Sequence, residues 1–94
     1  MTASRWSVQS PDAIACCDWG DEWVVFCGDR AETHLFSATA GMLLGAMLED
    51  LRPALAEDLF RRVFGEAMTA REGQDLVVML EEFERRGLVA RFPA

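Results

Sequence analysis

The sequence predicts an α+β fold in which a three-stranded antiparallel sheet is followed by a three-helix bundle, in a winged-helix-like order. Two observations carry this prediction. Before Ser37, apolar residues come in the short runs and alternations that are typical of strands, and after Ser37 they recur at helical spacing. The 94 residues, about half of them apolar, are enough for one domain with a modest core.

Three strands are expected before Ser37. Ala13–Asp18 is rich in small residues and thiols, and Trp23–Cys27 is a continuous run of β-branched, aromatic and apolar residues. Glu32–Phe36 begins with polar residues, ends with Leu35 and Phe36, and is expected to return as the third strand. The connection at 28–31 is so short that it permits only an antiparallel hairpin. The sheet is therefore a meander, and Glu32–Phe36 is expected to lie at one of its edges.

Helices are expected at Ala38–Asp50, at Pro53–Phe64 and from Thr69 to Arg86. The Ser37 side chain can cap the first helix, and Thr69 with Glu72 fits a capping box for the third. Gly41 and Gly45 each cost the first helix about 1 kcal/mol relative to alanine. We interpret them as sites of close approach to the sheet or to a neighbouring helix.

The charge of the chain argues against nucleic-acid binding. Three helices after a small sheet suggest a DNA-binding shape, but the formal net charge is −7 and every cationic residue is an arginine.

No segment approaches the roughly 20 apolar residues of a membrane span. The first ten residues do not resemble a signal peptide, so a cytoplasmic protein with free thiols at Cys16, Cys17 and Cys27 is expected. Met1–Ser4 should be frayed, and Arg5–Val8 should form a short strand or an arm.

Residues for catalysis or metal binding are sparse. His34 is the one histidine, and the chain has no tyrosine. Cys16 and Cys17 are adjacent, without the two-residue gap of a zinc knuckle. The glycines form no phosphate-binding loop. The sequence therefore predicts a protein that is not an enzyme and that needs neither a metal nor a cofactor.

The Glu32–Phe36 strand offers an edge for binding. It contains neither of the residues, lysine and proline, that commonly protect an exposed strand edge. A peptide that adds to such an edge gains affinity from main-chain hydrogen bonds and specificity from side-chain pockets. A peptide-binding module is the first interpretation. The alternative is a protein–protein assembly domain that uses the same edge, including homodimerisation.

The third helix is more apolar than one core contact requires. Its core stripe is Leu76, Leu80, Phe83 and Gly87, and Val77 and Met79 flank it. Val78 falls almost opposite the stripe, on the face expected to be wet. Two interpretations stay open at this point: an overfilled core helix, or a second apolar contact surface.

Three segments resemble a known family: Asp-Glu-Trp-Val-Val-Phe at 21–26, Thr-His-Leu-Phe at 33–36, and Leu-Glu-Glu-Phe-Glu-Arg-Arg-Gly-Leu-Val at 80–89. In this order they are similar to the PqqD-like proteins, which are recognition elements for the precursor peptides of RiPPs (peptide chaperones). The subgroup resembled is the one associated with HPr-kinase-related proteins. The resemblance spans about Trp6 to Phe92. Many members have Asn-Pro or Asp-Pro where this chain has Ser37-Ala38, a departure that concerns the helix start.

The resemblance implies a function. In the family, a leader peptide adds as a further strand to the third β-strand, wedged against the third helix, and is presented to a modifying enzyme. The partners implied are therefore a precursor peptide and a peptide-modifying enzyme. Carried over to this chain, the implied peptide-binding residues are Glu32, Thr33, His34, Leu35 and Phe36 of the strand, together with a helix face drawn from Leu76, Val77, Met79, Leu80 and Phe83.

Overall fold

A computed structural model describes residues 4–28 and 30–93. The strands are β1 (Ser4–Val8), β2 (Ile14–Trp19), β3 (Glu22–Cys27), β4 (Glu32–Ser37), β5 (Ala54–Leu55) and β6 (Val89–Pro93); the helices are α1 (Ala38–Glu49), α2 (Ala56–Phe64) and α3 (Ala70–Arg85). The α+β class and the three helices are confirmed. Of the N-terminus predicted to fray, Met1 to Ala3 lie outside the described residues, whereas Ser4 begins β1.

The predicted meander is present as a sheet with the order β2-β3-β4. Trp19 pairs with Glu22, so only Gly20 and Asp21 connect β2 to β3. Gly20 has a φ of 77°, a left-handed conformation that glycine adopts without steric cost. β3 pairs with β4 along its whole length, from Glu22 opposite Ser37 to Cys27 opposite Glu32.

A second three-stranded sheet, with the order β5-β1-β6, joins segments far apart in sequence. β1 pairs antiparallel with both neighbours, with Trp6 opposite Arg91 in β6 and opposite Ala54 in β5. The sequence predicted one sheet, so this pairing is an addition to the expected fold. Placing Pro53 in the first turn of a helix was wrong, because the chain after it first pairs with β1 and α2 begins only at Ala56.

Helix α1 covers the inner face of the meander. Its N-cap is Ser37, whose side chain accepts a hydrogen bond from the Ala40 N–H, as predicted. The close approach expected at Gly41 is confirmed, because a Cβ there would overlap the Trp23 indole of β3. At Gly45 the nearest Trp23 atoms would lie 3.9 Å from a Cβ, an ordinary contact.

Helices α2 and α3 complete the core. The capping box of Thr69 and Glu72 at the start of α3 is present, as predicted. Gly65 and Gly87 end the two helices with φ near +75°. The residues of α1, α2 and α3 that are fully buried in the shared core are Leu43, Leu44, Met47, Leu59, Leu80 and Phe83.

Candidate functional site

One hydrogen bond just after β3 shows which neighbouring strand the main-chain N–H and C=O groups of each β3 residue face. The N–H of Gly28, directly after β3, donates to the Ala13 carbonyl at 2.7 Å, so Gly28 faces β2. Alternate residues of an antiparallel strand turn their main-chain groups to opposite sides. Val24 and Phe26 therefore also face β2, and the residue between them, Val25, faces β4.

The open edge of β4 is consequently formed by Thr33 and Leu35. Their partners in β3 are Phe26 and Val24, which face β2, so the N–H and C=O groups of Thr33 and Leu35 point away from the sheet. β4 is the last strand of its sheet, and within residues 4–28 and 30–93 no strand pairs with its outer side. The predicted position of this strand at an edge is confirmed.

The inward side chains of β4 pack on the C-terminal half of α3. Phe36 meets Phe83 edge to face, with ring centroids 5.1 Å apart, and His34 stacks beside Phe36. The Arg86 guanidinium lies 5.1 Å from the Phe36 ring centroid, a cation–π distance. The edge strand and α3 are therefore in direct contact, as the proposed site requires.

A polar chain joins β4 to the end of α3. Arg86 Nη1 lies 3.0 Å from His34 Nδ1, and because a guanidinium only donates, Nδ1 accepts and the proton is assigned to Nε2. His34 is 8% exposed, and its Nε2 has no hydrogen-bond partner among the described residues. The Oε2 atom of Glu32 lies 3.5 Å from His34 Nε2. Arg86 Nε also donates to Glu82 at 2.9 Å.

Glu82 fixes this arginine electrostatically. Hydrogen bonds from Arg86 and, next, from Arg85 lower the pKa of the Glu82 carboxyl below its usual range. The carboxylate therefore stays ionised and holds the Arg86 side chain toward β4. On the other side of the contact, the Arg30 side chain from the β3–β4 turn lies over Gly87, where a Cβ would overlap its guanidinium.

The residues predicted on α3 divide into two groups. Leu76, Leu80 and Phe83 are core residues, no more than 3% exposed. Val77 and Met79 are half-buried. Val78 is 59% exposed, opposite the core stripe as the helical period predicted. The helical period places Val77 and Met79 on opposite sides of the core stripe, about 160° apart. Met79 is on the side of Arg86, which contacts β4, and Val77 is on the side that faces Arg91 of β6. A ligand beside β4 can therefore reach Met79 more readily than Val77.

An open groove of about 160 Å³ lies between the helices. From the predicted set it includes Leu76 and Met79. It also includes residues that the sequence reasoning missed: Thr39, Phe60, Phe64, Glu72 and Asp75. The spacing of Phe60 and Phe64, four residues apart on α2, was the available signal, and their rings lie 4.6 Å apart.

Comparison with known proteins shows similarity of fold. No family model and no curated protein matches the chain. Solved structures do: TbiB1 in complex with the TbiA(beta) leader peptide has a TM-score of 0.64 at 18% identity, over 88% of this chain and 93% of that one. Lasso peptide synthetase B1 complexed with the leader peptide has a TM-score of 0.63 at 14% identity, over 90% of this chain and 96% of that one. The chain shares their fold.

Potential metal ligands and thiols were located among the described residues. Among residues 4–28 and 30–93 no group of three or more His, Cys, Asp or Glu side chains is placed to hold a metal ion. Cys16, Cys17 and Cys27 are free thiols, and burial raises the pKa of Cys16. Within the same ranges, no helix has the length and apolar character needed to cross a membrane.

Proposed function

We propose that this chain is a non-catalytic module that captures a precursor (leader) peptide by strand addition to β4 beside α3 and presents it to a modifying enzyme. The observation that carries this proposal is the open edge at Thr33 and Leu35, on a strand that contacts α3. The fold shared with two proteins that are complexed with leader peptides supports it. The PqqD-like assignment, its HPr-kinase-related subgroup and the winged-helix description stay predictions from the sequence.

The main chain of β4 supplies the affinity in this mechanism. A peptide strand pairs with the outward N–H and C=O groups of Thr33 and Leu35. Its alternate side chains then fall on the two faces of the sheet. Those on the inner face lie toward α3, on the side where Met79 is partly exposed. Those on the outer face lie beside Leu35, which is 63% exposed.

Substitution of Leu35 by proline tests the edge directly. The Leu35 N–H points away from β3, so proline removes no bond of the sheet and is tolerated as it is at other edge strands. It does remove one donor to the peptide, and its ring occupies the place of the added strand. We expect the peptide Kd to rise at least about tenfold, equivalent to 1.4 kcal/mol, while the protein stays folded.

Two further variants serve as controls. Cys16→Pro places proline at the opposite edge of the same sheet, where the residue also faces away from β3. It should leave the peptide affinity unchanged. Leu35→Ala keeps the N–H and removes only the side chain, so its effect on peptide binding should be smaller than that of Leu35→Pro. The ligand is the precursor peptide encoded beside the gene, measured by fluorescence anisotropy. Unchanged affinity in a folded Leu35→Pro protein would contradict strand addition.

A further inference from the structure

The outer face of the β2-β3-β4 sheet is apolar. Strand register places Cys17, Val24 and Leu35 in one row across this face, and Ala15, Phe26 and Thr33 in the next. The opposite face carries the side chains that α1 buries, such as Val25. Trp19 extends the apolar surface at one end of β2.

These side chains are accessible to solvent. Trp19 is 72% exposed, Leu35 63% and Phe26 45%. The Trp19 Nε1–H donates to Cys17 Sγ at 3.1 Å, a bond that orients the indole along the strand. Apolar patches of this kind, when they are contiguous and rimmed by polar residues, mark interaction sites. Tryptophan and phenylalanine are among the residues enriched at protein–protein interfaces.

The rim of this surface is acidic at the β2–β3 turn. Asp21 and Glu22 are adjacent, and positions 18–22 contain no basic residue. Within the described part of the chain, none of these carboxylates forms an ion pair with an arginine. A second copy would bring another acidic rim to the same surface, in a chain of net charge −7. An anionic membrane is disfavoured for the same reason.

We propose that this outer face docks the peptide-modifying enzyme, through an apolar patch on the enzyme that is bordered by lysine or arginine. The identity of the partner rests on the proposed function. A peptide added to β4 contributes alternate side chains to this face, next to Leu35. An enzyme seated there contacts the module and the peptide together, so the face couples recognition of the peptide to its delivery.

Cys17 provides a footprint of this surface. It is the exposed member of the three thiols, and Cys27, which is buried, is an internal reference. The probe is the purified modifying enzyme encoded beside the gene, and the readout is the rate at which iodoacetamide alkylates each thiol, followed by mass spectrometry. Without added peptide, saturating enzyme should slow the alkylation of Cys17 at least about tenfold, because the centre of an interface excludes water.

Matched variants locate the interface. Trp19→Thr and Phe26→Thr should each weaken enzyme binding at least about tenfold, since aromatic residues dominate interface energetics. Phe92→Thr removes a similarly exposed aromatic residue (44%) from a strand of the other sheet and should have no effect. Thermal unfolding of each variant confirms that it is folded. Asp21→Arg should weaken enzyme binding more at low ionic strength than at high ionic strength.

Several results would overturn the proposal: no binding of the enzyme, binding that leaves Cys17 reactive, or binding that is insensitive to Trp19→Thr and Phe26→Thr. Protection of Cys17 that grows with the concentration of the chain alone would assign the face to a second copy. Protection by phosphatidylcholine vesicles would assign it to a membrane. Peptide affinity is measured separately. A chain that binds the enzyme but no peptide would contradict the proposed function without contradicting the docking surface proposed here.

Discussion

The contact of Trp23 with Gly41 sets how closely α1 approaches the sheet. The indole occupies the space that any β-carbon at position 41 would need, whereas position 45 leaves an ordinary van der Waals gap. The two glycines look equivalent in the sequence, because both interrupt the same helix at a spacing of four. Only the position of the indole distinguishes them, and side-chain placement of this kind depends on the tertiary structure.

The two glycines should respond oppositely to alanine. Gly41→Ala forces the indole or the helix to shift, and overpacking of this kind costs about 1–3 kcal/mol of the free energy of unfolding. Gly45→Ala meets no clash and recovers helix propensity, so it should stabilise the protein by up to about 1 kcal/mol. Urea denaturation of both variants measures the difference. Equal effects of the two substitutions would show that the Trp23 contact does not constrain α1.

His34 shows what the sequence could not supply at this scale. As a polar residue in a strand predicted to lie at an edge, His34 would be expected at the surface. The strand is indeed at the edge, but the His34 side chain is buried against Phe36 and bound by Arg86. Arg86 lies 52 positions away in the chain, and no local pattern connects the two.

At the scale of elements, the contact that matters for the site is that between β4 and the end of α3. Phe36 and Phe83 form its apolar part, and Arg86 joins His34 to Glu82 in its polar part. A shift of α3 along its axis would break both parts. The position of α3 beside the open edge is therefore fixed by residues outside the edge itself.

The pH dependence of stability tests the polar part. The Glu82 pKa is lowered on folding, so the pairing contributes its full stabilisation above the ordinary value of 4.5 and loses it as the pH falls through the lower, folded-state value. Between about pH 5 and pH 3, the wild-type protein should therefore lose more stability than Glu82→Gln does. Denaturation midpoints across this range measure it. Glu66→Gln, at an exposed position outside the helices, is the control and should follow the wild type.

Elements with local signals were predictable from the sequence, and those formed by distant pairing were not. The hairpin, the Ser37 cap and the capping box of Thr69 all depend on neighbouring residues. In the sheet of β1, β5 and β6, β1 instead pairs on one side with Ala54 and Leu55 and on the other side with β6, more than 80 positions along the chain. Pro53 accordingly suggested a helix start, while the two residues after it belong to a strand.

At the scale of the whole molecule, the open β4 edge and the apolar outer face lie on one sheet, and both are surfaces through which copies of the chain could associate. The proposed function requires that the edge be free. We therefore expect a monomer in light-scattering measurements over a wide range of concentration. A tight dimer that Leu35→Pro converts to a monomer would favour the assembly domain, because the edge would then be occupied by a second copy.

The candidate site was predictable in outline and not in detail. The short connection of the hairpin and the absence of protecting residues in Glu32–Phe36 indicated the edge. Which of its residues turn their main-chain N–H and C=O groups outward followed from the bond of Gly28 with Ala13 in the structure. On α3 the helical period identified the stripe, but which members lie in the core depends on where β4 and α2 pack.

The most direct test of peptide capture is an amide NMR titration of labelled protein with the N-terminal half of the precursor peptide encoded beside its gene. We expect saturable shifts concentrated at residues 32–36 and along α3, with the amides of Thr33 and Leu35 becoming protected from hydrogen exchange as the new strand forms. A folded, monomeric protein that binds the peptide without changes at these positions, or that shows no shifts at all, would contradict peptide capture by strand addition.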